Sequence, residues 1–307
     1  MTFDRPVPLK STSIVAMITI SLAGCGGGGE GGGGGGSTGI TATSAPTPTN
    51  GQFALGNPVN GVSQLSGSSA RISLTGTRTT DRTRARGTYT HNTQALTLND
   101  GFVAFSDQDS PVGGTRYEDS NGLVDTIVNV RTSQFDFVMP YIQGYASGGQ
   151  GFIAYDAVGI AIDPANVPST GTASYSGVAF GQIDSNLQTT PQTQIITGTS
   201  TVNADFGAGL VDVSMGITAT NGVNGAPNTA LIDTVCVDNM AISGNTFSRG
   251  KLTTSLGGVA VNVTGTGTAT SAGGQFYSAS GSAPDEVGGS VVSQGSEGAL
   301  AVAFMAD

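Results

Sequence analysis

The chain has no tryptophan, one histidine and two cysteines among 307 residues, and only 10% of its residues are charged. Such counts exclude a zinc site built from several Cys or His ligands. A nucleophilic triad needs a base, and the sole histidine, His91, has no Gly-x-Ser-x-Gly partner motif. Lys, Arg and Glu, residues that favour helices, are scarce, so helical content is expected to be minimal. No apolar run reaches the ~20 residues that cross a bilayer. Aromatics at 6% argue against a membrane-embedded barrel, which carries an apolar outer band and aromatic girdles.

What the chain has instead is 49 glycines and an abundance of Thr, Ser, Val and Ala, with apolar residues recurring at short spacing. Small and β-branched residues suit pleated strands, and the glycines suit tight turns between them. The net charge of −10 repels phosphates, which excludes nucleic acid as a partner. That charge is uneven. Arg71, Arg78, Arg82, Arg84 and Arg86 cluster together, while from Gly87 onward 4 basic residues face 18 acidic ones. The alternation of Arg82, Arg84 and Arg86 reads either as a grip for an anionic partner or as a solvated strand edge kept from aggregating by charge.

Residues 1–24 have the parts of an export signal: basic Arg5 and Lys10, an apolar run from Ile14 to Ala23, then small residues. The tetrapeptide Leu22-Ala23-Gly24-Cys25 looks like the lipobox of bacterial lipoproteins. That likeness implies cleavage before Cys25 and acylation of its sulfur, and Gly26 in place of an aspartate implies passage to the outer membrane. More than one acyl chain gives a stable anchor, which a single chain does not. With Cys25 so used, Cys236 in Val235-Cys236-Val237 is expected to be a buried thiol without a disulfide. Residues 25–51 form a Gly-rich tether that cannot bury a core, with an end-to-end distance on the order of 25 to 30 Å.

Residues 52–165 carry short strand-like pieces separated by Asn99-Asp100-Gly101, Gly113-Gly114 and Asn121-Gly122, and are expected to form a small β-rich domain. Asp119, Asn121 and Asp125 surround Gly122 as in a calcium loop, but the full ligand register and distal Glu are missing, and the same residues make ordinary turns. Metal sites and cofactors are therefore expected to be absent. His91 reads as a polar residue on a strand rather than a haem or metal ligand.

Residues 166–307 follow a break at Pro164 and Pro168 and deliver strand candidates every 10 to 12 residues. Thr170 to Gln182 reads as the first. Val211, Val213, Met215 and Ile217 alternate with polar or small residues, as do Val259, Val261 and Val263, and later Leu300, Val302 and Phe304. Period two places one apolar face on each strand. About eight such strands suggest closure into an up-and-down barrel, with a sandwich as the competing architecture. Adjacent Asp285 and Glu286 fall on an expected turn, where their side chains diverge and make no catalytic pair.

Val167-Pro168-Ser169-Thr170-Gly171-Thr172-Ala173-Ser174-Tyr175-Ser176-Gly177 is similar to the start of the β-barrel domain of the transferrin-binding protein B family. Asp205 to Gly209 resembles that domain's second strand and turn, and Gly274 to Tyr277, Glu286 to Gly289 and Ala303-Phe304 resemble its closing strands. The resemblance implies an all-β chain: a small handle domain followed by an eight-stranded antiparallel barrel. It also implies a lipoprotein anchored to the outer membrane, displayed at the cell surface or facing the periplasm, that binds a protein or an iron- or haem-related small molecule and is not an enzyme. The other reading from sequence is a structural or assembly lipoprotein without a diffusible ligand. Ser278 and the Ala301-Val302-Ala303-Phe304-Met305 ending depart from the family's glycine-rich pattern, so no ligand-contacting residue is carried over.

Overall fold

The computed structural model describes residues 61–73, 79–90, 95–99, 104–107, 116–118, 124–127, 135–147, 150–186, 192–222, 230–278 and 282–307. The export signal, Cys25, the tether, Arg78, His91 and the Asp119 to Gly122 turn lie outside the described residues.

The first sheet holds β1 (Val62–Ser73), β2 (Thr80–Thr90), β3 (Ala95–Asn99), β4 (Ala104–Asp107), β5 (Arg116–Glu118), β6 (Val124–Ile127), β7 (Val138–Ser147) and β8 (Gln150–Gly159). Their order is β4-β3-β2-β1-β8-β7-β6-β5, antiparallel throughout, with the long strands β1 and β8 at the centre. One face of this handle has its own core, in which Leu65, Leu96, Leu98, Met139, Tyr141 and Val158 pack together. A 3-10 turn at Pro164–Asn166 then carries the chain across, its first amide capped by Asp163, whose Oδ1 accepts from the Ala165 N–H at 2.9 Å.

The second sheet holds β9 (Thr172–Ser185), β10 (Gln192–Asp205), β11 (Leu210–Gly222), β12 (Thr234–Ser243), β13 (Thr246–Ser248), β14 (Lys251–Leu256), β15 (Val259–Ala260), β16 (Ala269–Tyr277), β17 (Glu286–Gln294) and β18 (Gly298–Ala306). Following the pairings around gives β9-β10-β11-β12-β13-β16-β17-β18, and β18 pairs back onto β9. Eight antiparallel strands thus close into an up-and-down barrel, as the alternation in the sequence suggested. Closure leaves no open edge around this ring except where the wall splits. The lumen is filled by side chains, as a barrel of this size requires. Phe276 lies 5.6 Å from Phe206 and 5.3 Å from Phe247, ring centroid to centroid, and Phe304 stacks on Phe247 at 6.5 Å. Gly289 makes room for this cluster, since a Cβ there would come within 2.7 Å of Phe304 Cζ.

The split begins after β13. Arg249 (φ 72) and Gly250 (φ 93) turn the chain in the left-handed region, and a Cβ on Gly250 would meet Met240 Cγ at 2.7 Å. Beyond this kink β14 stays paired with β12 but leaves β16, and folds over into a hairpin with β15. The expected strand through Val259, Val261 and Val263 is therefore only two residues long. Its alternation does not face one core: Val259 is 68% exposed while Val263 is buried.

Every residue of β18 is buried, because both of its faces are covered. Leu300, Val302 and Phe304 point into the barrel core. On the opposite face Ala299, Ala301 and Ala303 pack with Ala70, Ile72 and Tyr155 of the handle. Small side chains here let two sheets approach closely, which joins handle and barrel into one packed body.

Candidate functional site

The junction between the two sheets concentrates most of the buried polar chemistry. Glu286, the first residue of β17, is 3% exposed and turns toward the handle. Its carboxylate accepts the backbone N–H groups of Asp136, Phe137 (2.9 Å) and Val138 (2.8 Å), where the chain enters β7. Burial pushes the Glu286 carboxyl up to about 8, opposed by the three N–H donors and reinforced by neighbouring Asp136. Asp136 is itself raised, by burial first and then by Asp307 and Asp285. Asp285 does not join Glu286: it takes a hydrogen bond from Ser278 Oγ at 2.9 Å, so the adjacent carboxylates diverge as expected.

Hydroxyl and amide contacts extend this junction. Tyr277 Oη donates to the Ala157 carbonyl at 3.2 Å, Tyr155 Oη to Gln182 Oε1 at 3.3 Å, and Ser66 Oγ to Gln275 Oε1 at 3.0 Å. Burial drives the hydroxyls of Tyr155 and Tyr277 well above the usual tyrosine range, so both are neutral donors. These contacts hold the two sheets together.

The arginines lie at the margin of the same junction. Beside β1, β2 pairs with β3 only from Arg86 to Thr90, so among the described residues Arg82 and Arg84 have no strand on their far side and Arg86 alone lies between two strands. Register sets Arg82, Arg84 and Arg86 opposite Ala70, Ser68 and Ser66, which face the barrel, so the three guanidinium-bearing positions share that face. Arg82 is pinned: its Nε donates to Ser271 Oγ at 3.0 Å and its Nη1 to Ser68 Oγ at 3.1 Å. Burial lowers its pKa. Arg84 and Arg86 are exposed, and among the described residues neither has a carboxylate within ion-pair distance. Arg71, on the opposite face of β1, sits over the Phe152 ring at 4.9 Å and pairs with Asp81 at 4.0 Å.

A cleft of about 450 Å³ opens where β14 and β16 part. Leu252, Val261, Val263 and Leu300 supply its apolar wall. Thr264 organises its polar side, with Oγ1 at 3.1 Å from Asn262 Oδ1, 3.2 Å from Thr268 Oγ1 and 3.4 Å from Ser293 Oγ. Sequence reading missed this cleft, since the kink at Arg249-Gly250 that creates it resembles any other Gly-bearing turn.

Cys236 on β12 is buried as expected, its Sγ 3.8 Å from Ser214 Oγ. No group of three or more His, Cys, Asp or Glu is placed to hold a metal among the described residues. Among those residues no helix is long and apolar enough to cross a membrane.

No family model matches the chain, and no curated protein matches it by sequence. Among solved structures it is similar to a mutant of Transferrin Binding Protein B (TbpB) from Haemophilus parasuis Hp5, with 16% identity and a TM-score of 0.47 over 78% of this chain and 45% of that one. TbpB from serogroup B Neisseria meningitidis gives 17% identity and a TM-score of 0.46, covering 78% of this chain and 43% of that one. The N-lobe domain of Lactoferrin Binding Protein B (LbpB) of Moraxella bovis gives 10% identity and a TM-score of 0.32, covering 80% and 98%. The chain thus spans less than half the length of the two TbpB proteins and nearly all of the LbpB lobe.

Proposed function

We propose that this chain is a lipoprotein of the outer membrane, anchored through Cys25 on the tether of residues 25–51, that captures a protein or small-molecule ligand without transforming it. The lipobox Leu22 to Cys25, the glycine run behind it and the order of the barrel motifs support the reading. The observation that carries it is the single packed body: a handle seated on a filled barrel, presenting Arg84 and Arg86 to solvent on one face of an otherwise acidic protein. A rigid body held off the bilayer by a flexible leash can turn its recognition face toward an arriving partner. Exposed guanidinium groups with no carboxylate beside them among the described residues suit an acidic partner surface, to which they offer bidentate hydrogen bonds.

Protease shaving of intact cells tests display. Loss of the folded body from whole cells places it at the surface, and full protection confines it to the periplasmic face. Pull-down with the wild-type chain and with an Arg84→Glu, Arg86→Glu double variant tests capture. A partner retained by the first and lost by the second supports the reading, and no partner for either favours a purely structural envelope protein.

A further inference from the structure

We infer that the cleft in the split barrel wall is a binding site for an uncharged, mainly apolar small molecule carrying one neutral hydrogen-bonding group. This deepens the binding reading above and rests on it. The kink at Arg249-Gly250 sends β14 onto β15, so β16 lacks a β-ladder partner on that side over Ala269 to Ser271. The barrel wall is thereby open at one place, with Thr268 and Thr270 exposed at its lip. The opening leads to Leu300 and Val263, which belong to the barrel core, and its volume falls within the range of small-molecule pockets.

The lining decides the ligand class. Its side chains are aliphatic, hydroxyl or amide, and none is charged, aromatic or sulfur-bearing. A charged ligand would lose hydration there without gaining a counter-ion, which is costly. A haem or a chelated metal would find no His, Met, Cys or Tyr to ligate it and no Arg or Lys for its carboxylates. An aliphatic or ring-shaped body would lie against Leu252, Val261, Val263 and Leu300. Thr264 and Ser293 have hydroxyls that can turn from one another to a carbonyl or hydroxyl of the ligand, because each can both donate and accept.

Two dyes that differ in charge test this. The full chain is purified without lipid modification from cytoplasmic expression and titrated with N-phenyl-1-naphthylamine, which is neutral, and with 8-anilinonaphthalene-1-sulfonate, which adds a sulfonate to the same skeleton. The neutral dye is expected to bind saturably at one site per chain, at least tenfold more tightly than the anionic one. Thr270→Trp, which fills the lip from an exposed position, is expected to weaken the neutral dye at least tenfold with an unchanged melting temperature, and Thr268→Trp serves should the first variant fold poorly. Val259→Ser, which removes the exposed apolar side chain on the adjoining hairpin, leaves the affinity within twofold. Equal affinity for both dyes, no saturable binding, or indifference to the tryptophan variants overturns the proposal. None of those results bears on partner capture through Arg84 and Arg86, which the pull-down reads separately.

Discussion

The carboxylate of Glu286 and the backbone amide of Phe137 meet at 2.9 Å across 149 residues of sequence, and with the amides of Asp136 and Val138 they fasten the handle to the barrel. Three N–H groups at the entry to β7 would otherwise be buried without an acceptor. Glu286→Ala is expected to cost about 3 kcal/mol or more of unfolding free energy, since each orphaned buried donor costs roughly 1 to 3 kcal/mol. Glu286→Gln keeps an acceptor oxygen and should lose far less. Urea denaturation of both variants beside the wild type checks the order.

The same residue predicts a pH dependence. Its carboxyl goes from an ordinary 4.5 to about 8 in the fold, so between those values the unfolded chain releases a proton that the folded chain keeps. Rising pH therefore favours unfolding. The contribution is fully present below about 4.5, falls across the window and is gone above about 8, amounting to on the order of 5 kcal/mol. Denaturation midpoints should drop from pH 5 to pH 8.5 more steeply in the wild type than in Glu286→Gln. Equal slopes would show that this carboxyl is not the group responsible.

Arg82 and Arg84 stand two residues apart on one strand and should behave differently. Arg82→Ala removes two hydrogen bonds from a charged donor to Ser271 and Ser68, and is expected to cost about 1.5 to 3 kcal/mol. Arg84→Ala, at an exposed position with no ion pair among the described residues, should stay within about 0.5 kcal/mol of wild type. Thermal melts of the two variants decide this.

Lipidation of Cys25 has a direct readout. Intact-mass analysis of protein extracted from envelopes reads the acyl chains on its sulfur. The expected result is an acylated chain beginning at Cys25, and Cys25→Ser should release the protein from the membrane fraction.

Much of the barrel was readable from residues alone, because period two is a local signal. Thr170 to Gln182 is the greater part of β9, and the alternation from Val211 to Ile217 lies within β11. The junction was not readable in the same way. The cue in β18 was the absence of polar residues on either face, yet Leu300, Val302 and Phe304 alone satisfy a barrel reading and conceal the alanines between them. Glu286 looked like half of a turn because nothing near it in sequence shows that amides at 136 to 138 need an acceptor. Arg82, Arg84 and Arg86 alternate alike in sequence, and only the extent of the β3 pairing, which starts at Arg86, separates the first two from the third.

Because β18 lies so far along the chain, the covering of the handle is deferred. Ser68 waits 222 residues for Ser290, and the alanine stripe that seals Ala70 and Ile72 is made later still. Contacts of such separation are formed slowly. Until the last staves of the cylinder arrive, the sticky side of the early sheet stands bare, and a chain caught in that state is prone to associate with its neighbours.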